Sequence, residues 1–267
     1  MPINSDNPRL DKVREQFTRQ AAAYARMRQA CDEESFRKLV ALSGAKPSDN
    51  VLDVACGPGF LTMIFAEHCA SVTGFDATDQ FLKLAKTEGE GRGLANLQFD
   101  HGNAEALPYT NNSFDLTLCR AAFHHMREPR FVLAEMQRVT KPGGHLLVVD
   151  MLTSTNKEQA LYHNRIERLC DPSHVRALAE TEFDALYTAA NLFLVKRAKS
   201  AIHYASVAEW LDHGGPTPEA EREILALMEA SLESDRSGLD VRREGGQLCF
   251  SHTVIADLVK VANRESP

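Results

Sequence analysis

Short apolar segments alternate with amphipathic segments between residues 51 and 150, and this alternation constrains the fold more than any other feature of the sequence. Parallel strands need a long crossover connection, which is usually a helix. The pattern therefore predicts an α/β fold with a mostly parallel sheet and helices on both faces. Strands are predicted at 51–55, 71–75, 97–100, 114–119 and 146–150, and helices at 60–70, 79–90 and 129–140.

The segments on either side of this core are less regular. Residues 10–42 are predicted to be helical in two pieces, within an N-terminal helical cap at 1–44 that precedes a core at 45–151. Residues 152–190 are predicted to form a lid insertion after the fifth strand. A helix is expected to begin at Asp171-Pro172, because an N-cap residue followed by proline favours a helix start. Residues 191–267 are predicted to add two strands, one at 191–195 that continues through part of the segment to 204 and one at 248–255, and a helical stretch near 218–232. We expect one domain over 1–267 with seven strands.

Composition argues against several classes of function. The 30 Lys and Arg residues face 37 Asp and Glu residues, so a net charge of −7 gives nucleic acid no electrostatic reason to bind. The six cysteines lack CxxC spacing, which favours a reduced, cytoplasmic setting. We expect a soluble protein with no membrane span, because no segment approaches 18 uninterrupted apolar residues. The sequence does not determine the oligomeric state, and a homodimer is compatible with it.

The loop after the first predicted strand carries the strongest functional signal. Gly57 and Gly59 let the backbone turn sharply and pass close to a ligand, and ligands of parallel sheets bind beyond the carboxyl ends of the strands. A dinucleotide site would have a third glycine where this chain has Thr62. Asp53, at the end of the strand, would repel a pyrophosphate but suits a ligand with an ammonium group.

A second acid, Asp76, ends the next predicted strand, about 20 residues further on, where the two ribose hydroxyls of an adenosine are usually held. A carboxylate can accept a hydrogen bond from both hydroxyls. The loop and Asp76 together predict an adenosine cofactor with a cationic group. An NAD-dependent dehydrogenase is the alternative.

Further segments extend this pattern in a fixed order. They are Gly74-Phe75-Asp76-Ala77, the run from Gly102 to Tyr109, the run from Ser113 to His125, and the run from Val139 to Leu147. In these residues the chain resembles the class I S-adenosylmethionine-dependent methyltransferases, and within them the ubiquinone/menaquinone-biosynthesis-like (methyltransferase type 11) group. The resemblance implies a Rossmann-like fold, S-adenosylmethionine as cofactor, and methyl transfer to a small molecule.

The same resemblance implies a role for each cofactor residue. Asp53 would lie near the methionine end, Asp76 would hold the ribose, and backbone at Arg120 would approach the methionine amino group. Members of the group usually have Asp at position 103, where Asn103 can still accept a hydrogen bond from the adenine amino group. Ala77 and Gln80 would border the adenine. The implied set is Asp53, Ala55, Gly57, Gly59, Asp76, Ala77, Gln80, Asn103, Ala104 and Arg120.

Two adjacent histidines follow the fourth predicted strand, where an acceptor would enter. His124 and His125 are candidate catalytic bases, because imidazole titrates near neutrality. Alternatively, one of them is buried and orients the loop. The segment also resembles the phosphobase methyltransferases, in which a Tyr of the N-terminal helix latches onto a His of this loop, and Tyr24 and His125 occupy the matching positions. Ordinary helix packing is the alternative for Tyr24.

No metal site is predicted, because the sequence has no HxxxH or paired Cys/His spacing and adjacent histidines cannot easily point at one ion. In the lid, Arg165, Arg168 and Arg176 either meet an anionic substrate or form surface ion pairs. The size of the lid favours a small-molecule acceptor over a protein or nucleic acid. A protein that binds S-adenosylmethionine but catalyses a non-methylating reaction remains a further alternative.

Overall fold

The computed structural model describes residues 14, 15, 18 and 33–263. These residues form two compact units. The first is built from the described parts of Met1–Arg120, Arg130–Leu147 and Lys260–Pro267, and the second from Ala121–Pro129 and Val148–Val259. Tyr24 lies outside the described residues, as does most of the predicted N-terminal cap. Over the described residues, no helix combines the length and apolar character that a membrane crossing requires.

A parallel sheet lies at the centre of the first unit. Its strands occur in the order β3-β2-β1-β4-β5, and β1 pairs in parallel with both β2 and β4. The chain moves outward from β1 to β3 and then returns to the other side of β1, so a topological switch point lies between β1 and β4, where ligands of such sheets bind. The strands are β1 (Asn50–Val54), β2 (Ser71–Asp76), β3 (Leu97–His101), β4 (Phe114–Arg120) and the part of β5 (Thr140–Thr153) up to Leu147.

Helices cover this sheet because its central strands are apolar on both faces. Val51, Leu52 and Val54 of β1 are fully buried. Right-handed crossovers place the helices after β1 and β2 on one face and the helix after β4 on the other. The helices are α1 (Glu33–Ser43), α2 (Phe60–Ala66), α3 (Asp79–Gly91) and α4 (Pro129–Val139).

The second unit contains the rest of β5 and the strands and helices that follow it. Within it β5 pairs in parallel with β6, and β8 forms an antiparallel hairpin with β9. Its core packs Ile166, Trp210, Met228 and Phe250 together. Its elements are a 3₁₀ turn (Phe123–His125), α5 (Lys157–Cys170), β6 (Leu178–Ala179), α6 (Glu180–Ala189), β7 (Leu192–Tyr204), α7 (Val207–Gly214), α8 (Pro218–Ala230), β8 (Arg242–Glu244) and β9 (Gln247–Val261).

The structure confirms the predicted α/β class and the predicted core elements, each within a few residues, except that β5 is much longer. The described residues contain nine strands instead of seven, because β6 and β8 are short additions that sequence periodicity did not reveal. The helix predicted to begin at Asp171 is wrong. Asp171 Oδ1 instead accepts hydrogen bonds from the backbone N–H and the hydroxyl of Ser173, which closes a tight turn after α5.

Candidate functional site

Asp53 is a buried acid near the carboxyl end of β1. Its side chain is held by Thr62, whose Oγ1 donates to Asp53 Oδ2 at 2.6 Å. Burial raises the pKa of Asp53 to about 7, against the opposing effects of the Thr62 hydrogen bond and the charge of Arg120. Thr62, the residue that replaces the third glycine of a dinucleotide site, therefore positions this acid.

The backbone after β1 turns through three left-handed residues, Ala55, Gly57 and Gly59, with φ values of 57°, 54° and 76°. A Cβ on Gly59 would lie 2.9 Å from the Cβ of Ala85 on α3, so packing as well as φ requires glycine there. At Gly57 only φ favours glycine, since the atom nearest to its hypothetical Cβ is in Phe81 at 3.9 Å, an ordinary contact distance. Ala55 bears a strain of about 1–3 kcal/mol, a cost that is found mostly at functional sites.

Asp76 connects the ends of β1 and β2. Its Oδ2 accepts from the Gly57 N–H at 2.8 Å, and its Oδ1 accepts from the Thr78 N–H at 2.8 Å. Burial raises the pKa of Asp76, and these backbone hydrogen bonds oppose that rise. A carboxylate offers about four lone-pair positions, so the side chain that shapes the loop is also a candidate acceptor for a diol.

The other residues of the expected cofactor set line the neighbouring turns. Ala77 offers its carbonyl oxygen to Arg14 Nε at 2.9 Å, and Gln80 is exposed on the first turn of α3. Asn103 Oδ1 accepts from the Glu105 N–H at 3.0 Å, so this oxygen already takes part in its own turn. Ala104 is half-buried beside it.

Arg120, at the end of β4, has a side-chain role that the sequence did not reveal. Its guanidinium lies 4.8 Å from the centre of the Phe36 ring on α1, in a cation–π arrangement. Its positive charge also lowers the pKa of Asp53, although less strongly than burial raises it. The side chain therefore packs against Phe36 of α1, and its charge moderates the pKa shift of Asp53.

In the second unit, His124 forms a buried dyad with Asp150. His124 Nδ1 lies 2.6 Å from Asp150 Oδ1, and Asp150 also accepts from the N–H groups of Phe123 and Met151, each at 2.7 Å. Burial alone would lower the pKa of His124, but Asp150 outweighs it and raises the pKa above its ordinary value. Because Asp150 holds Nδ1, the nitrogen that can exchange a proton with a ligand is Nε2.

His125 and His174 surround this dyad. The three rings form a cluster, with His124 centred 4.2 Å from His125 and 5.4 Å from His174. Ser173 Oγ lies 3.1 Å from His125 Nδ1 and donates to Asp171. His174 Nε2 contacts Asn164 Oδ1 at 2.8 Å.

Sequence reasoning missed Asp150, Ser173 and His174 as partners of the two histidines. Asp150 was available as the end of a predicted strand, where functional side chains collect. The proposed pairing of Tyr24 with His125 falls outside the described residues and stays a prediction.

The three lid arginines have partners within the second unit. Arg165 pairs with Glu223 at 2.6 Å and Arg176 with Glu182 at 2.7 Å, all four side chains being largely exposed. Arg168 donates to the carbonyl of Val175 at 3.1 Å. These contacts favour a surface role over recognition of an anionic substrate.

Comparison with known proteins gives a consistent result. Residues 52–148 match the family model of the methyltransferase domain. The uncharacterized methyltransferase YcgJ of Bacillus subtilis is 29% identical over 238 residues, which cover 88% of this chain and 93% of YcgJ. The crystal structure of YcgJ superposes with a TM-score of 0.78 at 26% identity, over 86% of this chain and 99% of that one.

Two further proteins extend the comparison. The structure of a candidate methyltransferase from Bacillus halodurans has a TM-score of 0.81 at 27% identity, and the match covers 86% of this chain and all of that one. A demethylmenaquinone methyltransferase from Listeria welshimeri is 33% identical over 147 residues, which cover 52% of this chain and 62% of that protein. The second match spans little more than half of this chain.

Proposed function

Because this chain is a class I S-adenosylmethionine-dependent methyltransferase, we propose that it methylates a small-molecule acceptor that must lose a proton during the reaction. The observation that carries this proposal is the buried His124–Asp150 dyad, with its 2.6 Å contact. A carboxylate that fixes the tautomer and orientation of an imidazole is a common arrangement for a general base.

The residues of the first unit suit S-adenosylmethionine. Asp53 is a buried carboxyl whose ionised form would gain a partner in the ammonium group of the methionine part. We assign Asp76 to the ribose hydroxyls, because its carboxylate lies against the Gly57 N–H of the loop, and the absence of a side chain on Gly57 lets a ligand approach the loop backbone. We assign Ala77 and Gln80 to the adenine side and Arg120 to the methionine side. When bound, the cofactor supplies an electrophilic methyl group on a sulfonium.

The protein contributes to the rate in two unequal ways. Methyl transfer is an in-line displacement, and holding the acceptor opposite the sulfur is worth about 7–11 kcal/mol. Removal of a proton by a positioned base adds a factor of about 10²–10⁴. We assign that base to His124 Nε2, with Asp150 as the group that positions the ring and stabilises the imidazolium. His125 and Tyr24 are proposed to assist, His125 through its contact with Ser173.

The class of acceptor follows from the need for a base. A hydroxyl, or a carbon acid of the hydroquinone type, requires proton removal, whereas a tertiary amine or thioether does not. One relative is named as acting on demethylmenaquinone, which is consistent with this class. That relative matches about half of this chain. It therefore supports methyl transfer by the matched region more than it supports a particular acceptor.

The test uses S-adenosylmethionine labelled in its methyl group. The full chain is incubated with it and with fractionated small metabolites, and each fraction is searched for labelled product. Label in an O–H or acidic C–H compound supports the proposal. Label only in tertiary amines or thioethers contradicts the role of the base. Consumption of a metabolite without transfer of label supports a non-methylating reaction instead.

A cheaper comparison addresses the dehydrogenase alternative. A ligand that binds only the native state raises the melting temperature, and the stabilisation grows with the logarithm of ligand concentration over Kd. S-adenosylhomocysteine is expected to raise the melting temperature of this protein, and NAD is not.

A further inference from the structure

A second polar cluster lies inside the second unit. His163 and Glu167 are four residues apart on α5, and His252 comes from β9. Their side chains are deeply buried, with residue exposures of 1%, 5% and 3%. His252 Nε2 lies 2.8 Å from Glu167 Oε1, and His163 Nε2 lies 3.6 Å from the same oxygen.

One atom of this cluster has no hydrogen-bond partner among the described residues. His163 Nε2 is fully buried and faces Glu167 Oε1 at a distance too long for a hydrogen bond. Buried polar atoms are almost always satisfied, so an orphaned imidazole nitrogen points to a missing partner. A simple ion pair between His252 and Glu167 accounts for two of the three side chains and leaves this nitrogen unexplained.

We propose that His163, Glu167 and His252 bind one divalent transition-metal ion, Zn²⁺ being the best fit, which links α5 to β9. Two imidazoles and a carboxylate form a recognised three-residue zinc set that leaves a position for water. For bonds of about 2.0–2.1 Å in tetrahedral geometry, neighbouring ligand atoms lie about 3.3 Å apart. The distances from Glu167 Oε1 to His252 Nε2 and to His163 Nε2, 2.8 and 3.6 Å, lie on either side of that value. All three ligand atoms lie within 4.8 Å of one another.

The surroundings favour an ion over a hydrated cavity. The ring of His252 is enclosed by Phe250, Tyr204 and Trp210, with ring centres 5.1, 5.2 and 6.3 Å away. An apolar shell of this kind limits the access of water to a metal.

The donor set of the cluster is one carboxylate oxygen beside two imidazole nitrogens. The sequence predicted no metal site, because its His and Cys spacings match no local ligand pattern. His252, the third ligand, is 85 residues from Glu167, so no local spacing marks this set.

The experiment measures metal in the full chain. The purified protein is stripped with a chelator, dialysed, and titrated with ZnCl₂ and separately with CoCl₂. In the first titration, wild type is expected to bind one Zn²⁺ per chain. In the second, it is expected to show the visible absorption of tetrahedral Co²⁺. Glu167→Gln and His163→Gln are expected to weaken Zn²⁺ binding at least 100-fold, since even loss of an outer-shell partner costs about 10–100-fold.

The matched control is His68→Gln, because His68 is exposed and lies in the first unit. This variant is expected to bind Zn²⁺ as wild type does. The proposal is overturned if wild type binds Zn²⁺ no more tightly than Glu167→Gln, or if His68→Gln loses the ion as well. Should the cluster variants fail to fold, the Co²⁺ spectrum of wild type decides alone: its absence overturns the proposal. None of these outcomes depends on methyl transfer.

Discussion

Asp53 and Asp150 are a matched pair of acids in different parts of the molecule. Each lies towards the carboxyl end of a central strand, and each is 2% exposed. Burial raises the pKa of Asp53 to about 7, whereas the neighbouring His124 outweighs burial and lowers the pKa of Asp150. Equal burial thus gives opposite shifts, because Asp150 is in hydrogen-bond contact with His124, whereas the side-chain hydrogen bond of Asp53 comes from the neutral hydroxyl of Thr62.

We propose that this difference reflects two tasks. Asp53 in the first unit would serve a positively charged part of the cofactor, and Asp150 in the second unit would position the imidazole of a base. The following predictions test that division of roles, from the largest expected effect to the smallest.

His124→Gln is expected to reduce turnover by about 10²–10⁴-fold, since it removes the proposed base. Product formation is measured with labelled cofactor and an active acceptor fraction. The affinity for S-adenosylhomocysteine, measured by calorimetry, is expected to stay within about twofold, because His124 is not assigned to the cofactor. Turnover equal to wild type would show that the dyad only orients its loop.

Replacing the two acids by their amides is expected to affect stability in opposite ways. Asp150→Asn breaks a buried pair and leaves His124 without its carboxylate, at a cost of about 3–5 kcal/mol. Asp53→Asn removes an acid that is costly to ionise, so the free energy of unfolding at pH 8 is expected to be unchanged or higher. Denaturant unfolding of the ligand-free proteins measures both, and equal losses would break the comparison.

Gly59→Ala is expected to destabilise the protein by about 1–3 kcal/mol, through strain at positive φ and the short contact with Ala85. Gly93→Ala is the control, because Gly93 also has positive φ but no atom within 4 Å of its hypothetical Cβ. Thermal unfolding compares them. If both variants lose the same stability, φ alone explains Gly59 and its packing against α3 does not matter.

The same contrast explains how much could be predicted from the sequence. Asp53, Gly57 and Asp76 lie within one strand–helix–strand unit, so local spacing placed them correctly at neighbouring strand ends. Asp150 and His124 are 26 residues apart and meet only when the chain has folded. No local pattern marks such a pair.

Helix α5 was missed for a physical reason. Its inner face carries His163, Asn164 and Glu167, which are buried polar residues, so the apolar stripe that predicts a helix is interrupted. The Asp171-Pro172 pair that follows was interpreted as a helix start, yet its aspartate closes a turn with Ser173 instead. On α5, Glu167 and Asn164 contact His252 and His174, both outside the helix, and at Asp171 the carboxylate bonds within its own turn, so neither case shows as a regular sequence pattern.

The most direct test of the central claim is the pH dependence of S-adenosylhomocysteine binding. The groups around Asp53 are Thr62, Arg120, Asp76 and Cys56. If the ligand-free pKa of Asp53 is about 7 and the ammonium group selects the ionised form, the dissociation constant rises about tenfold per pH unit below 7 and levels off above it. Asp53→Asn is expected to bind about 10–100-fold more weakly at pH 8, with no such slope. Equal affinity and an equal pH profile in wild type and Asp53→Asn would contradict the account.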